Sequence, residues 1–144
     1  MVSKQKVLFS CKGNSCRSQI GEGFLNKMEA KYFEVYSAGS HPSPVHQNAI
    51  SIMKEIKIDI SNHTSNSVVE YLNTGIDIVI TVCDDAKLAC PIFPKKTIKI
   101  HWSVDDPFQG WDENEEHLIN FRKARTELQD HIKNLYMKWS YHDQ

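Results

Sequence analysis

The apolar residues of this chain switch between two periods. Val7, Leu8 and Phe9 run without a break, which predicts a short buried strand over 5–10. From 18 to 31 the spacing is helical, with Ile20, Phe24, Leu25 and Met28 on one face and Ser18 as the expected N-cap. "FEVYSAG" (33–39) reads as a second strand ending in a glycine turn, and "SHPSPVH" as a loop. A second helix is expected over 47–56, with Ile52, Met53 and Ile56 inward. "SVVEYLNTG" predicts a short helix closed by Gly75. "IDIVITVC" (76–83) is apolar almost throughout, as a strand covered on both faces should be. "KTIKIHW" (96–102) predicts a fourth strand, "DDPFQGW" a loop, and 112–138 a long amphipathic helix carrying Leu118, Phe121, Leu128, Ile132 and Leu135.

Strand and helix alternate four times. The pattern predicts an α/β fold, a three-layer sandwich around a four-stranded parallel sheet, in one domain over 1–144. Ligands of such sheets sit beyond the carboxyl ends of the strands. Cys11, Cys83 and the loop after Trp102 all fall at that edge.

Composition narrows the partners. A net charge of −1 favours neither nucleic acid nor an anionic membrane, so anion binding must be local. The N-terminal apolar run is too short for an export signal, and a cytoplasmic monomer is expected. Without that signal the four cysteines, Cys11, Cys16, Cys83 and Cys90, do not read as two disulfide staples. Their C-x4-C and C-x6-C spacings do not match common zinc ribbons. The seven histidines form no H-x3-H pair and read mostly as surface or turn residues.

The first strand runs into "CKGNSCRS" (11–18). A strand, a loop containing glycine and a helix let backbone N–H groups converge on one spot, and the helix adds its positive end. Lys12, Gly13, Asn14, Ser15, Cys16 and Arg17 are the expected oxyanion-binding residues, with Arg17 supplying a two-pronged donor. Cys11 lies at the centre as a nucleophile, and Ser18 can donate to its sulfur. Lys12 places a second cation next to it. The loop lacks the Gly-Lys-Ser/Thr of a nucleotide P-loop. "DDP" (105–107) supplies Asp106 as a general acid, with Pro107 fixing the loop.

At these residues the chain resembles the low-molecular-weight tyrosine phosphatase superfamily, with its Cys-x5-Arg-Ser loop and late Asp-Pro. The longer pattern "SAG…NAISIMKEIKIDISNHTS…DIVITVCDDAKLACP…HWSVDDP" resembles the thioredoxin-coupled arsenate reductases within it. That resemblance implies the phosphatase fold, arsenate or a phosphate-like oxyanion as substrate, and no tightly bound cofactor. It implies a disulfide relay from Cys11 to Cys83 to Cys90, with thioredoxin as the electron donor. Cys16 would stand outside the relay. Helical geometry would separate residues 83 and 90 by about 10.5 Å, whereas a disulfide wants Cα atoms within about 7 Å. The 83–90 segment is therefore expected to be ordered when reduced and to loop out when oxidised.

Some members of that group bind potassium through Asn, Glu, Ser and Asp. Asn14, Glu22 and Ser37 match, while the aspartate position holds Asn66, one negative charge fewer. Phe108 and Trp111 follow the acid, where tyrosine phosphatases place aromatics against the substrate ring. An aryl phosphatase is thus the alternative reading. A non-catalytic oxyanion or redox sensor is a second.

Overall fold

The computed structural model describes residues 4–84, 87, 90–93, 96–112 and 114–142. Four parallel strands, β1 (Gln5–Cys11), β2 (Phe33–Gly39), β3 (Ile78–Thr81) and β4 (Ile98–His101), lie in the order β2-β1-β3-β4. The chain leaves β1 for a neighbour on one side and later returns to its other side. The carboxyl end of β1 is therefore the topological switch point, where an open α/β sheet leaves a crevice.

β1 is buried on both faces. Val7, Phe9 and Cys11 enter a large apolar cluster with helices α1 (Arg17–Glu29), α2 (Gln47–Lys54) and α3 (Glu115–His142). Leu8 faces a smaller cluster with Ala38, Val68, Val79 and Phe93. That second face is covered by the 3-10 helix Val68–Tyr71 and the 90–93 stretch. The expected three-layer α/β sandwich is thus the observed one. The core positions expected on the last helix hold, with Phe121, Leu128 and Ile132 fully buried. No described helix is long and apolar enough to cross a membrane.

The boundaries moved where local chemistry overrides periodicity. β3 and β4 are shorter than expected, which leaves Cys83 two residues past its strand. The last helix starts at Glu115 rather than 112, and α2 ends at Lys54. The short helix before Gly75 is a 3-10 helix with a capping box of Ser67 and Glu70, followed by Gly75 at φ +79°. Ser18 is not the N-cap of α1. The cap is Cys16, without a side-chain bond, and Ser18 turns inward from the second helical position. The expected order–disorder change over 83–90 falls largely outside the described residues. Within that stretch the Lys87 N–H donates to the Cys83 carbonyl at 3.2 Å.

Two local contacts carry predictions. Cys11 pairs in register with Gly39, so β2 ends directly beside the oxyanion loop. A Cβ on Gly39 would lie 2.6 Å from the Lys12 carbonyl oxygen and 2.9 Å from the Asn14 nitrogen. Both are backbone, so Gly39→Ala must push the loop aside. A loss of about 1–3 kcal/mol is expected in urea unfolding, together with loss of oxyanion affinity.

On the far side, Arg122 and Arg125 of α3 grip Glu55 at 2.6 and 2.8 Å, and hold its carboxyl down at about 2. A lowered folded value stabilises the protein above the ordinary carboxylate range. That contribution fades as pH falls from about 4.5 towards about 2. The three side chains are partly exposed, so solvent screening keeps this contribution small. Glu55→Gln is expected to melt slightly earlier at pH 7 and together with the unsubstituted protein near pH 2, as thermal scans across pH would reveal.

Candidate active site

The loop after β1 is wired from the outside. The carbonyls of Lys12, Gly13 and Ser15 accept from the backbone N–H groups of His41, Ser43 and His46 at 2.8–2.9 Å. The Asn14 carbonyl accepts from Gln19 Nε2 at 2.9 Å. With these carbonyls tied outward, the N–H groups of the loop turn towards the cleft. Asn14 makes the turn at φ 51°, a left-handed conformation that asparagine tolerates. Its N–H then points at Cys11 Sγ, 3.1 Å away.

Cys11 is buried at the floor of a cleft of about 350 Å³. The cleft is lined by the loop, by His41 and Ser43, and by Asp106, Phe108 and Trp111 from beyond β4. Ser18 Oγ lies 2.9 Å from Cys11 Sγ and accepts from Asn14 Nδ2 at 2.8 Å. With Asn14 Nδ2 as donor, the hydroxyl proton is free to point at the sulfur. Two donors therefore converge on one sulfur and hold it in place at the cleft floor.

Arg17 links the loop to Asp106. Its guanidinium donates to the Val104 carbonyl at 2.8 Å and lies 3.5 Å from an Asp106 carboxylate oxygen. The buried Nε has no protein partner. An unpaired buried guanidinium N–H is costly, and a bound oxyanion would satisfy it. Asp106 is more than half exposed at the rim, and its other oxygen accepts the Phe108 N–H at 3.0 Å. Lys12 is exposed on the cleft lining.

None of the four cysteines is in a disulfide. Burial pushes the Cys16 thiol up to about 12, so it stays protonated and does not compete as a nucleophile at neutral pH. Cys83 is buried in the same apolar cluster as Cys11. Cys90 instead packs against the cluster on the opposite face of the sheet, and burial raises its thiol too.

The candidate cation residues already serve one another. Ser37 donates to Glu22 at 2.6 Å, with His63 Nδ1 at 3.6 Å from the same oxygen. Burial raises the Glu22 carboxyl, opposed by these two neighbours. Asn14 Oδ1 accepts the Asn66 N–H, and the Asn66 amide turns to Thr64. Glu22 is the one formal negative charge among Asn14, Glu22, Ser37 and Asn66. These residues fit a bound potassium ion poorly.

Sequence reasoning missed His41, Ser43 and His46. The signal was the strand-final Gly39: whatever follows it must pass the neighbouring loop. His46 is fully buried, against the surface role expected for most histidines.

Comparison with known proteins gives a consistent picture. Residues 6–142 match the low molecular weight phosphotyrosine protein phosphatase family. An arsenate reductase of Halalkalibacterium halodurans is 40% identical over 132 residues, 92% of this chain and 95% of that protein. The solved structure of an arsenate reductase in the phosphate binding state superposes with a TM-score of 0.76 at 34% identity, covering 93% of this chain and 98% of the other. A thioredoxin-dependent arsenate reductase of Corynebacterium glutamicum gives a TM-score of 0.75 at 26% identity, covering 96% of this chain and 63% of that one. In fold, in loop and across nearly its full length, this chain belongs to the low molecular weight phosphotyrosine protein phosphatase family.

Proposed function

We propose that this protein reduces arsenate to arsenite, using Cys11, Cys83 and Cys90 as a thiol relay and thioredoxin as the electron donor. The observation that carries this reading is that Cys83, a cysteine in no disulfide, is buried in the same cluster as the cradled Cys11. Phosphate hydrolysis has no use for it. The names and reach of the relatives described above support the same choice.

Arsenate enters the cleft and meets the loop N–H groups and the Arg17 guanidinium. The Cys11 thiolate attacks arsenic, and an arsenic–oxygen bond breaks as Asp106 protonates the departing oxygen, which leaves as water. The Cys83 thiolate then attacks the Cys11 sulfur. The sulfur–arsenic bond breaks, its electron pair stays on arsenic, and arsenite departs. Two thiolates have lost two electrons to arsenic and now share a disulfide. Cys90 next attacks Cys83 and frees Cys11 as a thiolate. A thioredoxin dithiol reduces the remaining disulfide.

The position of Cys90 supports a rearrangement during the third step. It lies against the opposite sheet face, where burial raises its thiol. It must leave that setting to reach Cys83. Disulfide mapping by mass spectrometry after one arsenate turnover tests the order. Cys90→Ser should accumulate a Cys11-to-Cys83 bond, and the unsubstituted protein a Cys83-to-Cys90 bond. A Cys11-to-Cys16 bond in either would contradict the relay.

A second reading rests on the exposed aromatic rings of Phe108 and Trp111 on the cleft lining. They offer a face to a planar ring, which suits hydrolysis of an aryl phosphate through a cysteinyl-phosphate. Loss of aryl phosphate affinity in Phe108→Ala, with arsenate KM unchanged, is the expected signature.

A further inference from the structure

His46, fully buried at the N-terminus of α2, bridges the loop after β1 and the 106–111 segment. Its backbone N–H donates to the Ser15 carbonyl of the oxyanion loop at 2.9 Å. Its Nδ1 accepts the Asn48 N–H at 3.0 Å and so caps α2. Because Nδ1 is an acceptor, the ring proton sits on Nε2, which donates to the Gly110 carbonyl at 2.7 Å. Gly110 has φ +110°, a conformation open to glycine, and this turns its carbonyl inward. The ring also stacks on Trp111, with centroids 5.1 Å apart and planes 14° apart, and meets Phe108 edge-on at 5.6 Å. Below, it packs on Phe121 of α3 at 4.9 Å.

Gly110 lies four residues after Asp106 in a segment that has no regular secondary structure. Asp106 itself is exposed, and it meets the Phe108 N–H and Arg17. The far end of the loop would be free to swing without an anchor in the core. We propose that His46 is the positioning residue of the acid loop: through Gly110 and Trp111 it fixes Asp106 at working distance from Cys11. The inference rests on the proposed role of Asp106 as the acid and extends it to a residue that touches neither substrate nor nucleophile.

A double-mutant cycle tests it, built from His46→Phe, Asp106→Asn and the pair, and read in thioredoxin-coupled arsenate turnover. Phenylalanine keeps a ring between Trp111 and Phe121 and removes both side-chain hydrogen bonds. His46→Phe is expected to lower kcat by about 10–100-fold, the cost of a misplaced catalytic group, with arsenate KM nearly unchanged. In the Asp106→Asn background it should lower kcat less than about twofold, since two changes in one pathway are not additive. His46→Asn retains an N-cap acceptor for α2 and guards against a folding defect. It should lose kcat in the same Asp106-dependent way.

A fluorine-19 spectrum of fluorotryptophan-labelled protein, with Trp111 assigned by Trp111→Phe, reads the loop without turnover. The Trp111 signal should shift and sharpen in both His46 variants. Equal losses in the two backgrounds, or an unmoved Trp111 signal, would overturn the proposal. If the unsubstituted protein shows no arsenate turnover, the reductase reading fails on its own. The cycle is then read on aryl phosphate hydrolysis, where Asp106 has the same task.

Discussion

Cys83→Ser is expected to reduce thioredoxin-supported arsenate turnover to background while leaving aryl phosphate hydrolysis close to that of the unsubstituted protein. Arsenic(V) takes up two electrons, and Cys11 supplies only one of the two sulfurs that give them. A serine oxygen cannot attack the Cys11 sulfur, so the arsenic adduct stalls. Hydrolysis needs the cradle, Arg17, Asp106 and water, none of which involves Cys83. The substitution is nearly isosteric, but Cys83 is buried, so a hydroxyl there costs some stability unless it is paired. A thermal melt therefore accompanies both assays. Parallel loss of the two activities in a folded protein would remove Cys83 from the relay.

Arg17→Lys is expected to lower both activities by about 10²–10³-fold, the range seen when one donor to a developing anion is removed. An ammonium keeps the charge but not the geometry. Arg17 uses one arm on the Val104 carbonyl, one beside Asp106, and leaves buried Nε for the cleft. Lysine can serve one of these. It would release the Asp106 loop or leave the Val104 carbonyl unmatched, and it cannot grip an oxyanion in two places. Most of the loss should appear in kcat/KM, with weaker protection by phosphate against thiol alkylation of Cys11. Retained activity in Arg17→Lys would mean that charge alone suffices.

Much of this site was legible in the sequence because its chemistry is local. The strand before Cys11, the glycine-containing loop and Arg17 six residues on lie within one supersecondary unit, and short-range sterics fix them. The continuous apolar run ending near Cys83 marked a doubly covered strand for the same reason. The cap of α1 was misread because Ser18 has a better partner than the backbone, a sulfur seven residues earlier in the chain. His46 was illegible for a different reason. A histidine after "SPV" has no periodic signature, and its partners Gly110, Trp111 and Phe121 lie more than sixty residues away. The apolar run over 76–83 put Cys83 at the carboxyl edge of the sheet. The placement of Cys90 on the other sheet face depends on how the chain crosses between β3 and β4.

The most direct test of the relay is NADPH oxidation in the presence of thioredoxin, thioredoxin reductase, this protein and arsenate, with aryl phosphate hydrolysis measured on the same sample. A working relay gives sustained NADPH loss that requires arsenate and vanishes in Cys11→Ser, Cys83→Ser and Cys90→Ser alike. Brisk phosphate release with no arsenate-dependent NADPH loss would contradict it, and would make Phe108 and Trp111, rather than Cys83 and Cys90, the residues that define this cleft.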